Sequence, residues 1–125
     1  MAKDEPEIPE ELRGLVPMTP AVFFIMLALA DGKKHGYAIM QEVSSLSDSK
    51  FRMGPGTLYT TIQRLLELSL IEERGEPSRT SGQDHRRRYY RLTASGRGLL
   101  EFEVRRLESV VRTARQKKLV SRRME

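Results

Sequence analysis

The sequence predicts a mainly α-helical domain with a small antiparallel β-sheet next to its C-terminal helix. Three helical patterns come first, two short strand-like runs separated by a loop follow, and one long helix ends the chain. The third helix has its apolar side chains at the spacing i, i+4, i+7 and i+8, on one stripe: Leu58, Ile62, Leu65 and Leu66. At 125 residues the chain has room for one small domain.

The composition of the chain limits the kinds of functional site that it can form. The formal net charge of +5 makes nucleic acid a natural partner, although a solvated basic surface would give the same total. The absence of cysteine excludes disulfides, thiol catalysis and cysteine-based zinc sites, and it fits a cytoplasmic location. His35 and His85 are the only histidines, so a histidine-rich metal site is excluded, and no cofactor is expected.

The chain is expected to enter no membrane, and its first 17 residues are expected to form an extension of the domain. The longest apolar run, residues 21–30, is far below the roughly 20 residues that span a bilayer. The chain does not begin with the basic start, apolar core and cleavage site of a signal peptide. Residues 1–17 are acidic and broken by prolines, with little to bury, so we expect this extension to be mobile or packed on a partner subunit.

The first helix begins at a capping pair. Thr19 supplies the capping hydroxyl, Pro20 suits the first helical position, and the pattern runs to about Ala30. This helix is apolar on all sides, which is typical of a helix buried all round. In so small a domain, part of that burial requires a second subunit, so Phe23 and Phe24 are assigned to a dimer interface.

The second helix opens at His35-Gly36-Tyr37 and runs to about Leu46. Its inward stripe comprises Ile39, Met40, Val43 and Leu46, and Gly36 allows close approach to a neighbouring helix. Residues 51–53 allow a very short strand before the third helix.

The third helix, residues 56–68, has a polar face opposite its apolar stripe. Gly54-Pro55-Gly56 breaks any earlier element in front of it. The outer face carries hydroxyl, amide and guanidinium groups, which can form hydrogen bonds with phosphates and with base edges in a major groove. These groups belong to Thr57, Thr60, Gln63 and Arg64, with Glu67 beside them and Tyr59 at the border. An ordinary amphipathic surface helix would have the same pattern.

Two strands are predicted at residues 70–74 and 86–92, with a loop between them at residues 75–84. The alternation of the second strand turns one of Tyr89 and Tyr90 inward and the other outward. Three helices followed by two strands and a loop is the order of a winged helix-turn-helix, in which the strand pair is the wing. Residues 18–93 form this predicted domain.

The last helix begins after Thr93 and runs from about Ala94 to Lys118, too long to cover so small a core by itself. Its apolar positions step by 4, 3, 4 and 3, a heptad seam made of Leu100, Val104, Leu107, Val111 and Ala114. We assign residues 94–118 to dimerisation and leave residues 119–125 as a basic tail. The alternative is a single intramolecular face.

Taken together, these residues resemble the PadR-like transcriptional regulators, in the branch with one C-terminal helix. The matching pieces stand in the expected order from about residue 18 to 100: Leu27-Ala28-Leu29-Ala30, His35-Gly36-Tyr37 with Ile39, Gly56-Thr57-Leu58-Tyr59 with Leu65 and Leu66, Leu70-Ile71, and Arg88-Tyr89-Tyr90-Arg91-Leu92-Thr93 with Gly96-Arg97. The resemblance implies a dimeric winged-helix protein, usually a repressor, that binds a pseudo-palindromic operator. It also implies DNA-backbone contacts by Tyr37 and Tyr59 and a recognition helix that begins at Gly56.

If the chain binds DNA, basic residues outside the third helix would displace counterions from the duplex. These are Arg79, Arg86, Arg87 and Arg88 at the wing, and Lys50 and Arg52 before the third helix. The wing arginines would equally suit a strand edge protected by charge, and both roles can hold at once. Some relatives also bind flat aromatic compounds at the dimer interface, in one case between tryptophans. This chain has no Trp; a pocket for a small-molecule effector would be lined by Phe23, Phe24, Met26 and Phe102.

Two other classes of function compete with a DNA-binding regulator. A winged-helix module that binds only protein should expose aliphatic or aromatic anchors on the third helix, whereas this helix exposes Thr60, Gln63 and Arg64. An enzyme would need a nucleophile with a base, a supported carboxylate pair or a metal set, none of which the sequence contains. We therefore expect no enzymatic activity.

Overall fold

A computed structural model describes residues 10–75 and 88–120 of the chain. It is mainly helical with a small antiparallel sheet, which confirms the predicted fold class. The elements, in chain order, are a 3-10 helix (Glu10–Leu15), α1 (Pro20–Ala28), β1 (Lys34–His35), α2 (Gly36–Leu46), α3 (Pro55–Glu67), β2 (Ile71–Gly75), β3 (Arg88–Leu92) and α4 (Ala94–Gln116).

Side chains cap three of the four α-helices at their starts. The Val22 N–H donates to the Thr19 hydroxyl over 3.3 Å, and the Gly96 N–H donates to that of Thr93 over 3.0 Å. At α2 the cap is His35, whose Nδ1 accepts the Ala38 N–H over 3.4 Å. Both predicted hydroxyl caps are confirmed.

The end of α1 comes two residues before the predicted Ala30. The Ala30 N–H donates to the Leu27 carbonyl over 3.1 Å, three residues back, so the chain leaves α1 through a tight turn. Gly32 then takes a φ of +143°, which glycine adopts without strain.

Helices α1, α2 and α3 pack on one another around a single core. Leu58, Ile62 and Leu65 of α3 are at most 2% exposed, which confirms the predicted stripe. Leu46, predicted to point inward from α2, is instead exposed because it is the last residue of the helix.

The sheet has β3 in the middle, between β1 and β2, and all pairs are antiparallel. No strand was predicted at β1; it pairs Lys34 with Tyr90 and exists because β3 lies beside it. The short strand allowed at residues 51–53 does not form. The Ser47 hydroxyl instead accepts the Phe51 N–H over 3.1 Å, and the chain bends back there.

The two tyrosines of β3 divide as the alternation predicted. Tyr90 is buried in the core, and this burial raises the pKa of its phenol. Tyr89 points to the other side, where the Lys33 ammonium lies 5.0 Å from its ring centroid.

Residues 10–18, the N-terminal segment, pack on the chain's own core. The prediction that this part has little to bury is wrong for Leu12, which is 5% exposed. The Met18 N–H donates to Glu103 Oε2 of α4 over 2.9 Å, and Arg106 Nε donates to Glu103 Oε1 over 2.7 Å. One leucine among acidic residues is too weak a signal for sequence reasoning to find. Residues 1–9 lie outside the described residues.

The two halves of α4 differ in burial. Gly96, Leu99, Leu100 and Glu103 of the first half are buried, whereas residues 108–113 are all exposed. With 23 residues, α4 is about 35 Å long, which is more than the core beneath it can cover.

Candidate nucleic-acid interface

The outer face of α3 is open to solvent as predicted. Thr57, Thr60, Gln63, Arg64 and Glu67 are all exposed, over nearly three turns of one helix. Within the described residues, neither Gln63 nor Arg64 has a side-chain hydrogen bond or ion pair. Their amide and guanidinium groups are therefore available to an outside ligand.

The start of α3 is sterically open. A Cβ built on Gly54 or Gly56 would meet no atom within 4 Å, so neither glycine is required by packing inside the chain. Pro55 takes the first position of the helix, where a missing N–H costs nothing. This arrangement leaves room for a ligand to come close to the backbone at Gly56.

Two tyrosines stand out at the junction of α2 and α3. Tyr37 is 61% exposed and Tyr59 is 48% exposed, which is unusual for large aromatic side chains. The Tyr59 hydroxyl lies against Gly36, at the first turn of α2, where any Cβ would collide with it. The junction therefore presents phenol groups to solvent from both helices.

The basic residues predicted to contact DNA lie in two different parts of the described structure, the turn before α3 and the start of β3. Lys50 and Arg52 are exposed in the turn before α3. Arg88 is exposed at the start of β3, with its Nε 3.2 Å from Glu73 Oε2, so part of its charge is offset. The predicted wing contacts Arg79, Arg86 and Arg87 lie outside the described residues.

Lys33 is a basic residue that sequence reasoning did not assign to the site. It is exposed beside β3 and holds its ammonium over the Tyr89 ring. The pair Lys33-Lys34 was visible in the sequence, but only the pairing of β1 with β3 brings it to the sheet.

A groove runs between the outer face of α3 and the N-terminal segment. Its volume is about 820 Å³, and we call it the α3 groove. Gly14, Leu15 and Pro17 line it from the segment, Thr19 and Val22 from the start of α1, and Tyr59, Thr60, Thr61, Gln63, Arg64 and Glu67 from α3. The outer face of α3 is thus bounded on one side by the chain's own N-terminal segment, which was not predicted.

The residues assigned to a dimer interface fall into three groups that differ in solvent exposure. Val104 and Val111 are each 41% exposed, and Val110, which was not assigned, is 53% exposed. Leu107, Ala114, Phe23 and Phe24 are half-buried. Leu100 is 4% exposed, so it belongs to the core of its own chain and a partner could cover little more of it.

Met26 was predicted to line an effector pocket, and this prediction is wrong. Its side chain is fully buried inside the chain and does not line an open pocket. Phe24 stacks on Phe51 at 5.9 Å between ring centroids, so its ring already has a partner. Phe23 and Phe102 remain half-buried.

The described residues contain no group of three or more His, Cys, Asp or Glu side chains that could hold a metal ion. None of the helices in residues 10–75 and 88–120 has the length and apolarity needed to cross a membrane.

Comparison with known proteins finds relatives of similar sequence. The chain is 39% identical over 85 residues to the transcriptional regulator Rv3488 of Mycobacterium tuberculosis, with 66% of this chain and 71% of that protein covered. It is 40% identical over 86 residues to an uncharacterized 37.1 kDa protein of transposon Tn4556 from Streptomyces fradiae. That match covers 66% of this chain but only 21% of the transposon protein.

Solved structures share the fold. A PadR family transcription regulator from Clostridium difficile aligns with a TM-score of 0.65 at 24% identity, covering 78% of this chain and 97% of that one. Bacillus subtilis PadR, solved in complex with operator DNA, aligns with a TM-score of 0.55 at 21% identity, covering 64% of this chain and 44% of that one.

The family model of the PadR-like transcriptional regulators matches residues 25–101, which run from α1 through the first turns of α4 and include the whole α3 face. Members of that family are transcriptional regulators and not enzymes, which confirms the prediction of a non-enzymatic protein. The chain therefore belongs to the PadR-like family of transcriptional regulators.

Proposed function

We propose that this protein is a homodimeric repressor that binds a pseudo-palindromic operator through α3 and the wing. The single observation that carries the proposal is that Gln63 and Arg64, exposed on the outer face of α3, have no side-chain partner among the described residues. Arginine can pair bidentately with a guanine edge and glutamine with an adenine edge, each discriminating by about 1–3 kcal/mol.

Other residues would position the duplex without reading its sequence. Tyr37 and Tyr59 offer hydroxyls to the DNA backbone, and Lys50 and Arg52 add charge before α3. In this proposal Arg79, Arg86, Arg87 and Arg88 act at the wing in the same way. Such contacts fix orientation and make affinity fall with salt.

The exposed second half of α4 supports a dimer. Val104, Val110 and Val111 lie exposed on a helix whose C-terminal half has no covering layer among the described residues of its own chain. Pairing with the same helix of a second copy would bury this seam on both subunits at once. Two copies of α3 would then face successive major grooves, about one helical turn apart.

A protein-binding module without an operator remains the competing proposal. It would need apolar anchors on the outer face of α3, yet the exposed side chains there are hydroxyl, amide, guanidinium and carboxylate groups. An effector is proposed only as an unidentified small molecule beside Phe23 and Phe102.

Selection of bound sequences from random DNA by the purified protein tests the proposal. We expect an inverted repeat with half-sites about 10 base pairs apart. Arg64→Ala should weaken binding to the recovered site by about 1–3 kcal/mol and relax the preferred base, while random DNA changes little. The absence of any enriched sequence, together with binding that ignores salt, would reject the proposal in favour of a protein-binding module.

A further inference from the structure

The face of the sheet that points away from the core carries a row of polar side chains. Tyr90 of β3 is buried in the core, so Tyr89, the residue before it, projects from the opposite face. The register places Tyr89 opposite His35 of β1 and opposite Arg74 of β2. Directly paired residues project from the same face, so His35, Tyr89 and Arg74 form one row across the sheet.

Lys33 adds a second positive charge to this row. It is exposed just before β1, and its ammonium lies 5.0 Å from the centroid of the Tyr89 ring. The rings of His35 and Tyr89 meet edge to face, with 5.6 Å between their centroids, and His35 is held in turn by its cap on α2. Lys33, Arg74 and Tyr89 together are called the sheet patch.

The two cations of the sheet patch have no acidic partner close by. Neither Lys33 nor Arg74 is in an ion pair within residues 10–75 and 88–120. The acids nearest to this part of the chain, Asp31 and Glu42, lie 2.6 and 3.5 Å from the ammonium of Lys34 instead. Lys34 therefore takes up their charge and leaves that of Lys33 available to an outside anion.

The described acids of the sheet are engaged as well. Glu72 lies 2.5 Å from Arg91 Nε, and Glu73 lies 3.2 Å from Arg88 Nε. Glu73 is paired with Tyr90, so it projects from the face that the sheet turns to the core side. The row that contains Tyr89 thus keeps a net positive charge.

The sheet patch adjoins α3 through the first turn of α2. His35 is followed directly by Gly36, and the Tyr59 hydroxyl of α3 lies against Gly36. An α-helix with its side chains is about 10–12 Å across and the major groove is about 12 Å wide, so a duplex that receives α3 has its two backbones along the flanks of this helix. The backbone on the Tyr59 flank comes nearest to the sheet patch.

We propose that the sheet patch binds the DNA backbone beside the groove that receives α3, with Lys33 and Arg74 each neutralising a phosphate and Tyr89 positioning the Lys33 ammonium. This inference rests on the proposed DNA-binding function. Phosphates complement the charge of two cations that lack an acidic partner among the described residues. Because backbone contacts carry no sequence information, the sheet patch raises affinity for cognate and random DNA alike and fixes the orientation of α3.

The first test counts phosphate contacts. Lys33→Gln and Arg74→Gln each remove one charge, and Lys117→Gln removes the same charge from an exposed position at the end of α4. The slope of log affinity against log salt should become shallower by about 0.9 for each patch variant, on cognate and random duplexes alike. Lys117→Gln should keep the wild-type slope. The proposal is overturned if neither patch variant changes the slope more than Lys117→Gln does.

The second test asks whether Tyr89 acts through Lys33. Tyr89→Leu removes the ring and should weaken binding to both duplexes by about two- to fivefold, the strength of an exposed cation–π contact, whereas Tyr89→Phe keeps the ring and should retain affinity. In a Lys33→Gln background, Tyr89→Leu should have no further effect. Equal losses in the two backgrounds would mean that Tyr89 only stabilises the sheet, and its positioning role would be rejected. Urea denaturation checks that each variant is folded under the binding conditions.

The failure of this inference can be told apart from the failure of the proposed function. If the wild-type protein selects an inverted repeat and binds it with a steep salt dependence, while both patch variants keep its slope, the sheet patch does not contact DNA and the proposed function stands. If the wild-type protein binds no duplex in a salt-dependent manner, the proposed function and the sheet patch fail together.

Discussion

The phenol of Tyr59 lies so close to Gly36 that no other residue fits at position 36 without moving it. A Cβ at Gly36 would stand 2.8 Å from Cζ of Tyr59 and closer still to its hydroxyl. This contact joins the first turn of α2 to α3, the helix proposed to read DNA. It explains why glycine, a weak helix former, occupies the first position of α2.

Gly36→Ala should therefore lower DNA affinity more than it lowers stability. Tyr59 is half exposed and can swing into solvent, so the free energy of unfolding should change by less than about 1 kcal/mol. The displaced phenol would no longer reach the DNA backbone. The check is a double-mutant cycle with Tyr59→Ala, read by duplex binding. If the two substitutions add, the effect of Gly36→Ala does not pass through Tyr59.

Leu107→Glu should convert a dimer into a monomer and weaken operator binding. The side chain lies midway along the seam between Val104 and Val111. In a two-fold dimer the variant would bury two carboxylates, at a cost of several kcal/mol. Operator affinity should then drop by at least about 100-fold, because one half-site loses the effective concentration that links two readers.

Light scattering and operator binding at matched protein concentration measure both effects. Ser109→Glu is the control, since it adds the same charge at an exposed position of α4 outside the seam. A monomeric Leu107→Glu protein that kept tight operator binding would contradict the dimer mechanism. A variant that stayed dimeric would place the interface elsewhere.

Gly96→Ala should destabilise the fold, although alanine is the better helix former. A Cβ at Gly96 would lie 2.9 Å from the Leu70 carbonyl carbon and collide with its oxygen. Because a backbone group cannot rotate away, we expect a loss of about 1–3 kcal/mol in the free energy of unfolding. Gly98→Ala, two residues along the same helix, meets no atom within 4 Å and should stabilise by up to about 1 kcal/mol. Urea denaturation of the two variants tests this contrast, and equal midpoints would refute it.

Glu103 should make stability depend on acid pH. Hydrogen bonds from Arg106, and to a lesser degree from the Met18 N–H, hold the pKa of this carboxyl below its ordinary value of 4.5. A lowered folded pKa means that the ionised group stabilises the fold above pH 4.5, and that this contribution is lost as pH falls through the lowered value.

Glu103→Gln tests this dependence with little change of shape. It should cost about 1–3 kcal/mol at neutral pH, because the Arg106 guanidinium loses its ionised partner. As the pH falls below 4.5 and through the lowered pKa of Glu103, the gap between wild type and variant should then close. Denaturation midpoints across that range measure it, and a gap that stayed constant would show that Glu103 does not titrate in this window.

The helices and their caps could be predicted from the sequence because their causes are local. Thr19 with Pro20 and Thr93 mark helix starts by their own chemistry, and the spacing of Leu58, Ile62 and Leu65 sets a buried stripe whatever lies against it. The polar outer face of α3 follows from the same periodicity. Local patterns alone therefore predict the α3 side of the candidate interface.

Tertiary contacts decided the rest, since they join residues far apart in the chain. Lys34 becomes a strand only because Tyr90, 56 positions later, supplies the pairing backbone. The acidic N-terminal part becomes a wall of the α3 groove because Glu103 accepts the Met18 N–H across 85 positions. No local pattern encodes either contact, because each depends on the energy gained when two distant segments meet, and only the folded chain brings them together.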